Sequence, residues 1–117
     1  MRLGLFAPIF NELSFPELLD EVKHFPQITM LELGTGGWPG GSHRALDSLI
    51  DNRKAIAEYL ARLTDAGLGI SALSCHGNPV HPNDAIARRD ATLLEKTIRL
   101  AGQMEVQIVA TFSGCPG

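Results

Sequence analysis

The residues able to do chemistry in this chain collect in three short segments. They are Gly34-Thr35-Gly36-Gly37-Trp38-Pro39-Gly40-Gly41-Ser42-His43, Ser74-Cys75-His76-Gly77-Asn78-Pro79-Val80-His81-Pro82-Asn83 and Phe112-Ser113-Gly114-Cys115-Pro116-Gly117. Each combines glycine, which lets backbone amides come close to a ligand, with side chains that can bond, stack or carry a proton. The first segment has no Gly-Lys-Ser/Thr ending and is not a Walker loop, and Pro39 stands where a dinucleotide fingerprint needs its third glycine. It reads either as a loop that approaches an anionic ligand or as a tight turn anchored by Trp38. The indole offers a face for a sugar or a base, a lid, or a cap on the rim of the fold.

Glu32 and His76 add the sharper chemistry. A carboxylate inside a strand is costly to bury unless a cation, a metal or a donor meets it. Glu32 therefore reads as a ligand-facing carboxylate or as a hydrogen-bond anchor to a neighbouring strand. His76, at a strand end, can orient a hydroxyl, shuttle a proton or bind a metal through neutral imidazole. One histidine does not make a metal site, since closed sites take three or four ligands. His43 and His81 fall in loops and are expected at solvated positions. Cys75 is expected to point away from the interior, and no base that would activate Cys115 is identifiable.

These segments need a scaffold. Leu3 to Phe10, Thr29 to Gly34, Gly69 to His76 and Val106 to Ser113 are short apolar runs of the kind that form buried strands. Ser14, with Pro16 in the first turn and Glu17 three residues on, makes a capping box for a first helix with Leu18, Leu19, Val22 and Phe25 as its stripe, ended by Pro26. A second helix is predicted over Asp51 to Ala66, preceded by a turn around Leu46 to Ile50, with Gly67 as its C-terminal stop. A third runs from about Asp84 to Gln103, with Leu93, Leu94, Ile98 and Ala101 on one side. The order β-α-β-α-β-α-β implies parallel strands joined by right-handed crossovers. All three chemistry-bearing segments then emerge at the carboxyl end of the sheet, where ligands bind in such folds. Alternation along the strands turns Leu31, Leu33, Leu73 and Cys75 toward the helices. It gives the opposite face a patch of Glu32, Ser74, His76, Thr111 and Ser113.

Bulk properties narrow the classes. With 44% hydrophobic and 20% charged residues, the 117-residue chain has the composition of one folded domain. A net charge of −3 with no basic face argues against a nucleic-acid partner. The apolar N-terminal run breaks at Pro8, too early for a signal peptide, and no stretch approaches the roughly 20 apolar residues of a membrane span. Two cysteines without a framework pattern suit reduced thiols, so a cytoplasmic protein without a membrane partner is expected. The sequence stops just past the fourth strand. A flavodoxin-like sheet would normally have about five strands and a closing helix. Half of a parallel (β/α) barrel, whose full form takes about 250 residues, is the easier reading. That predicts either a longer natural polypeptide or a homo-oligomer covering the exposed sheet edges.

Glu32-Leu33-Gly34-Thr35-Gly36-Gly37-Trp38-Pro39-Gly40, Leu73-Ser74-Cys75-His76-Gly77-Asn78-Pro79-Val80-His81-Pro82 and Thr111-Phe112-Ser113-Gly114-Cys115-Pro116-Gly117 together resemble the sugar phosphate isomerase/epimerase family. These are TIM barrels of the xylose-isomerase-like superfamily, which also holds endonuclease IV-like proteins. The resemblance makes residues 1–117 the N-terminal portion of a single such barrel, truncated after the fourth strand. It implies a metal-dependent isomerase or epimerase that moves a proton between adjacent carbons of a small sugar or sugar phosphate. The divalent metal (Mn, Mg, Zn or Co) and the acid/base residues are implied for the complete barrel, on later strands absent here, and none of these metals is expected to bind tightly to this portion alone. His76 matches the third-strand histidine of the superfamily and Glu32 its second-strand acidic position. Substrate-binding positions are then expected at Glu32, Trp38, His76, Asn78 and Ser113. Ser113-Gly114 stands where the endonuclease branch carries another histidine, which speaks against phosphodiester hydrolysis. The alternative is a non-catalytic half barrel that binds a small anionic ligand or self-associates.

Overall fold

A computed structural model describes residues 1–38, 40, 43 and 46–117. Pro39, Gly41 and Ser42 of the first glycine-bearing segment lie outside the described residues. The strands are β1 (Leu3–Phe6), β2 (Ile28–Gly37), β3 (Gly69–His76) and β4 (Val109–Thr111). Between them lie α1 (Phe15–Val22), a one-turn α2 (Leu46–Leu49), α3 (Arg53–Asp65) and α4 (Asp84–Gln103).

The strands form one sheet in the order β1-β2-β3-β4, and every neighbouring pair is parallel. Sequential order decides the architecture. A doubly wound sheet reverses direction once and carries helices on both faces. Without a reversal, right-handed crossovers all bring their helices to one face. The sheet is therefore singly wound, as in half of a (β/α) barrel, and its other face is an inner surface. On the outer face Leu31, Leu33 and Leu73 pack with Leu18, Val22, Leu63, Leu100 and Ala101 in one buried cluster. Phe15 of α1 stacks on Tyr59 of α3 with ring centroids 4.4 Å apart, joining the two helices.

Local chemistry accounts for the boundaries. The Ser14 hydroxyl accepts from the Glu17 amide while the Glu17 carboxylate accepts from the Ser14 amide at 2.7 Å, so the capping box forms. That carboxyl is held below its usual range, first by the Ser14 hydroxyl and then by the Ser14 amide. α3 starts at Arg53 and not at Asp51, with Asn52 capping it by accepting from the Ala55 amide at 3.0 Å. β3 and α4 have the bounds expected from sequence; β2 runs on to Gly37 instead of Gly34, and β1, α1, α3 and β4 are shorter than expected. β1 stops at Phe6 because Ala7–Phe10 tightens into a 3₁₀ turn with Pro8 in its first turn, where the missing amide costs nothing. α1 stops at Val22, its last turn closed by bonds from His24 to Glu21 and from Phe25 to Val22, which leave Phe25 largely exposed. β4 is short because Glu105, with φ of 57°, and a bond from the Val106 amide to the Ala101 carbonyl use those residues to leave α4.

The buried side of α4 also differs from the expectation. Asp90, Thr97, Leu100 and Ala101 are buried, whereas Ile98 is 56% exposed and Leu94 only half-buried. The polar Asp90 and Thr97 lie inward because strand and loop atoms satisfy them. Thr97 meets Thr35 of β2 hydroxyl to hydroxyl at 2.7 Å and donates to the Leu93 carbonyl. Among the described residues, no helix is long and apolar enough to cross a membrane.

Candidate active-site rim at the carboxyl end of the sheet

β2 and β3 bring their polar ends together. Gly37 pairs with His76, and the Trp38 amide donates to the His76 carbonyl at 2.9 Å. Gly37 has φ of 71°, and a Cβ there would lie 2.3 Å from that carbonyl oxygen, so only glycine allows the approach. Gly34 and Gly36 serve packing in the same way. A Cβ on Gly34 would meet the Gly40 carbonyl and Pro8, and one on Gly36 would strike Leu93 of α4. Of the two readings of this segment, Gly34, Gly36 and Gly37 fit the tight turn: their open sides are filled by the chain itself.

His76 ends β3 on the inner face. Its ring lies 4.3 Å from Phe112 and 6.5 Å from Phe6, centroid to centroid. Its Nδ1 is buried and has no hydrogen-bond partner among the described residues. Phe112 reaches this position through the register of β4. Ser74 pairs with Ala110 and Cys75 with Thr111, so Thr111 shares the outer face with Cys75 and the next residue turns inward. The expected inner patch is corrected here: Phe112, not Thr111 or Ser113, stands beside His76. Polar Thr111 faces outward where no helix covers it, and it is exposed.

Glu32 lies on the inner face, as parity requires, level with Phe6 and Ala72 and farther down the strands than His76. It is half-buried, and among the described residues it has neither a hydrogen-bond nor an ion-pair partner. The reading of Glu32 as an anchor to a neighbouring strand thus finds no bond to support it. Ser74, also inward, is buried and donates to the Leu33 carbonyl at 3.5 Å. Cys75 is buried against α4, as expected, and burial pushes its thiol pKa up, which makes it a poor nucleophile.

The segment after β3 is held by α4. The Asp90 carboxylate, 5% exposed, accepts from the Asn78 amide at 2.7 Å and from Arg89 Nε at 2.8 Å. These two donors, Arg89 first, hold its carboxyl below the usual range. Asn78 in turn grips the segment after β4: Nδ2 donates to the Cys115 carbonyl at 2.8 Å and Oδ1 accepts from the Cys115 amide at 3.0 Å. Oδ1 accepts from the Val80 amide as well, at 3.3 Å. The Asn78 side chain, expected to bind substrate, is thus committed to backbone and positions two loops against each other. His43, expected in solvent, is 4% exposed, and its Nε2 donates to the Phe10 carbonyl at 2.7 Å.

Around these groups lies a cavity of about 570 Å³ lined by Trp38, His76, His81, Arg89, Leu93 and Phe112 among others. Trp38, 72% exposed, forms its rim. A second cavity, about 560 Å³, shares Asn78 and Phe112 and reaches Ser113 and Cys115. Ser113 is therefore at the rim but not in the His76 cavity, and Glu32 lines neither. Arg89, Asp90 and Phe112 were not singled out from sequence. For Asp90 the signal was present: it stands three, seven and ten residues before Leu93, Thr97 and Leu100, on the buried side of the helix. Among the described residues, no three His, Cys, Asp or Glu side chains converge as a metal site. The described residues do not by themselves supply a ligand set for the metal that the resemblance implies.

No known family model matches the chain. It is similar to an uncharacterized protein of Bacillus subtilis strain 168, YfiH, at 30% identity over 116 residues. The match takes in 99% of this chain and 36% of that protein, so the chain spans about a third of the relative's length.

Proposed function

We propose that this chain supplies the substrate-facing part of a (β/α) barrel that isomerises or epimerises a small sugar or sugar phosphate. The observation that carries the reading is His76: an imidazole between two aromatic rings at the carboxyl end of the sheet, with one buried nitrogen unbonded, at the wall of a cavity of substrate size. Sugars bind through apolar ring faces and a few placed polar groups, and Trp38, Phe112 and His76 offer that combination. In this reading the imidazole holds a substrate hydroxyl and the aromatic rings exclude water. A divalent metal would polarise the sugar oxygens, and both its ligands and the groups that move the proton would come from outside these residues. Two free cysteines accord with a cytoplasmic setting.

Trp38 is the only tryptophan, which gives the test a built-in probe. A panel of sugars and sugar phosphates titrated against its emission is expected to contain a ligand whose binding His76→Ala weakens. A response to nucleosides or amino acids and to no sugar would sink the proposal. The chain alone, with Mn²⁺ or Mg²⁺, is expected to show no turnover by NMR, and turnover would place the acid/base groups within it after all.

A second reading, self-association, rests on the uncovered inner face. Phe112 and Ile108 are exposed there, and β1 and β4 are open edges. Sedimentation would show it as a dimer in the absence of ligand.

A further inference from the structure

We infer that the polar wall of the His76 cavity is an anion subsite, formed by Arg89 and His81, that takes the phosphate group of a phosphate monoester. It rests on the proposed substrate reading only in sharing that cavity. The polar atoms left uncommitted at this wall are donors. His81 Nδ1 accepts from the Asn83 amide at 2.9 Å. A ring nitrogen that accepts carries no proton, so in the neutral ring the proton sits on Nε2, which is then a donor. Among the described residues nothing bonds to Nε2. Arg89 gives only Nε to Asp90, leaving the Nη1 and Nη2 hydrogens without protein acceptors among the described residues.

The acidic group at this wall does not oppose an anion as strongly as its charge suggests. Both Asp90 oxygens are occupied, Oδ1 by Arg89 and Oδ2 by the Asn78 amide. Asp90 therefore fixes Arg89 and the loop while the unspent hydrogens at the wall belong to donors. Arg89 and His81 are held by different means, one through its ion pair and the other through the Pro82-flanked turn into Asn83, which caps α4. Their preorganisation lowers the cost of gathering donors around an anion. Trp38, Leu93, Ile86 and Phe112 give the same cavity an apolar part. A ligand with a charged end and a less polar body fits this division. Guanidinium forks match phosphate geometry, with several acceptor oxygens to be shared between Arg89 and His81.

The test compares glycerol 3-phosphate, inorganic phosphate and glycerol as probes of the 117-residue chain, followed by amide shifts and Trp38 emission. Glycerol 3-phosphate and phosphate are expected to shift the 76–90 amides, and glycerol to bind at least about tenfold more weakly. Arg89→Gln and His81→Asn are each expected to weaken the phosphate probes by about tenfold, with Arg89→Lys recovering part of the loss. Asparagine is chosen at position 81 because its side-chain oxygen can still accept from the Asn83 amide, and thermal melts would verify that each variant folds. Equal binding of glycerol and glycerol 3-phosphate, or folded variants that bind phosphate as the parent does, would overturn the subsite. Phosphate binding with no sugar response removes the isomerase proposal and leaves this inference standing. Sugar binding indifferent to phosphorylation does the reverse.

Discussion

The two faces of this sheet solve different problems with adjacent residues. On the outer face Leu31, Leu33, Leu73 and Cys75 are buried beneath the helices, and even the polar Thr35 and Thr97 find each other. On the inner face Glu32 has no partner among the described residues, His76 keeps a bare buried nitrogen, and Phe112 is 51% exposed. Since strand residues alternate between faces, one backbone serves both, and stability need not be shared out evenly. The outer face has few loose ends because it holds the fold together. The inner face is unfinished in the way expected of a surface that receives something else.

The largest effect that separates the faces should come from Leu73. It is almost wholly buried in the centre of the outer cluster, so Leu73→Ala is expected to cost about 2–5 kcal/mol, a large share of a small domain's stability. Phe112→Ala, on the inner face, should change stability by only about 1 kcal/mol or less. Urea denaturation of the two variants would measure the contrast, and equal losses would erase it.

Asp90 tests the joint between the faces, since it is anchored on an outer helix and holds an inner loop. Asp90→Ala leaves the Asn78 amide and Arg89 without their acceptor and should cost about 1–3 kcal/mol. Its carboxyl is held low by Arg89 and then by the Asn78 amide, so its folded pKa lies below the unfolded value. The corresponding stability is fully present above the unfolded value of about 3.9 and is lost as pH falls through the folded one. Melting temperatures of the parent and Asp90→Asn should therefore converge in acid and separate as pH rises past about 4. A pH-independent difference would mean that the carboxylate charge is not what holds the loop.

A smaller effect is expected one step outward. Asn78→Ala releases the Cys115 amide and carbonyl, which are near the surface and can turn to water, so the cost should be about 1 kcal/mol. The loss should be local. Hydrogen exchange is expected to speed up by about tenfold at the Cys115 amide while the β3 amides are unchanged. Uniform acceleration would show that Asn78 supports the whole sheet.

The contrast between faces also explains what the sequence made legible. An apolar run marks β3 and helical spacing marks α4, because both are local signals. Strand order and the parity of Glu32, Ser74 and His76 follow from alternation once a helix-covered face is assumed. The same assumption failed at β4, where no helix covers Thr111 and the register to β3 brings Phe112 inward. Asn78 was legible as a loop residue of interest but not as a clamp, because its partner, Cys115, is 37 residues away. Arg89 and His81 acquire meaning only when α4 and the loop before it are folded against each other.

The smallest expected effect on stability falls on the residue with the largest expected effect on binding. His76 Nδ1 is a buried polar atom without a partner among the described residues, so no bond there offsets its desolvation. Phenylalanine is similar in shape and carries no nitrogen, and Phe6 and Phe112 already provide aromatic neighbours. His76→Phe should therefore be neutral or stabilising by up to about 1 kcal/mol, since an unmade hydrogen bond costs more than an apolar replacement. The same variant is expected to abolish the sugar response of Trp38, because it removes the polar group meant to hold a hydroxyl. Thermal melting and Trp38 titration on one sample would read both properties. A destabilised His76→Phe would show that the imidazole is bonded in the folded state, and the inner face would then resemble the outer one more closely than its geometry indicates.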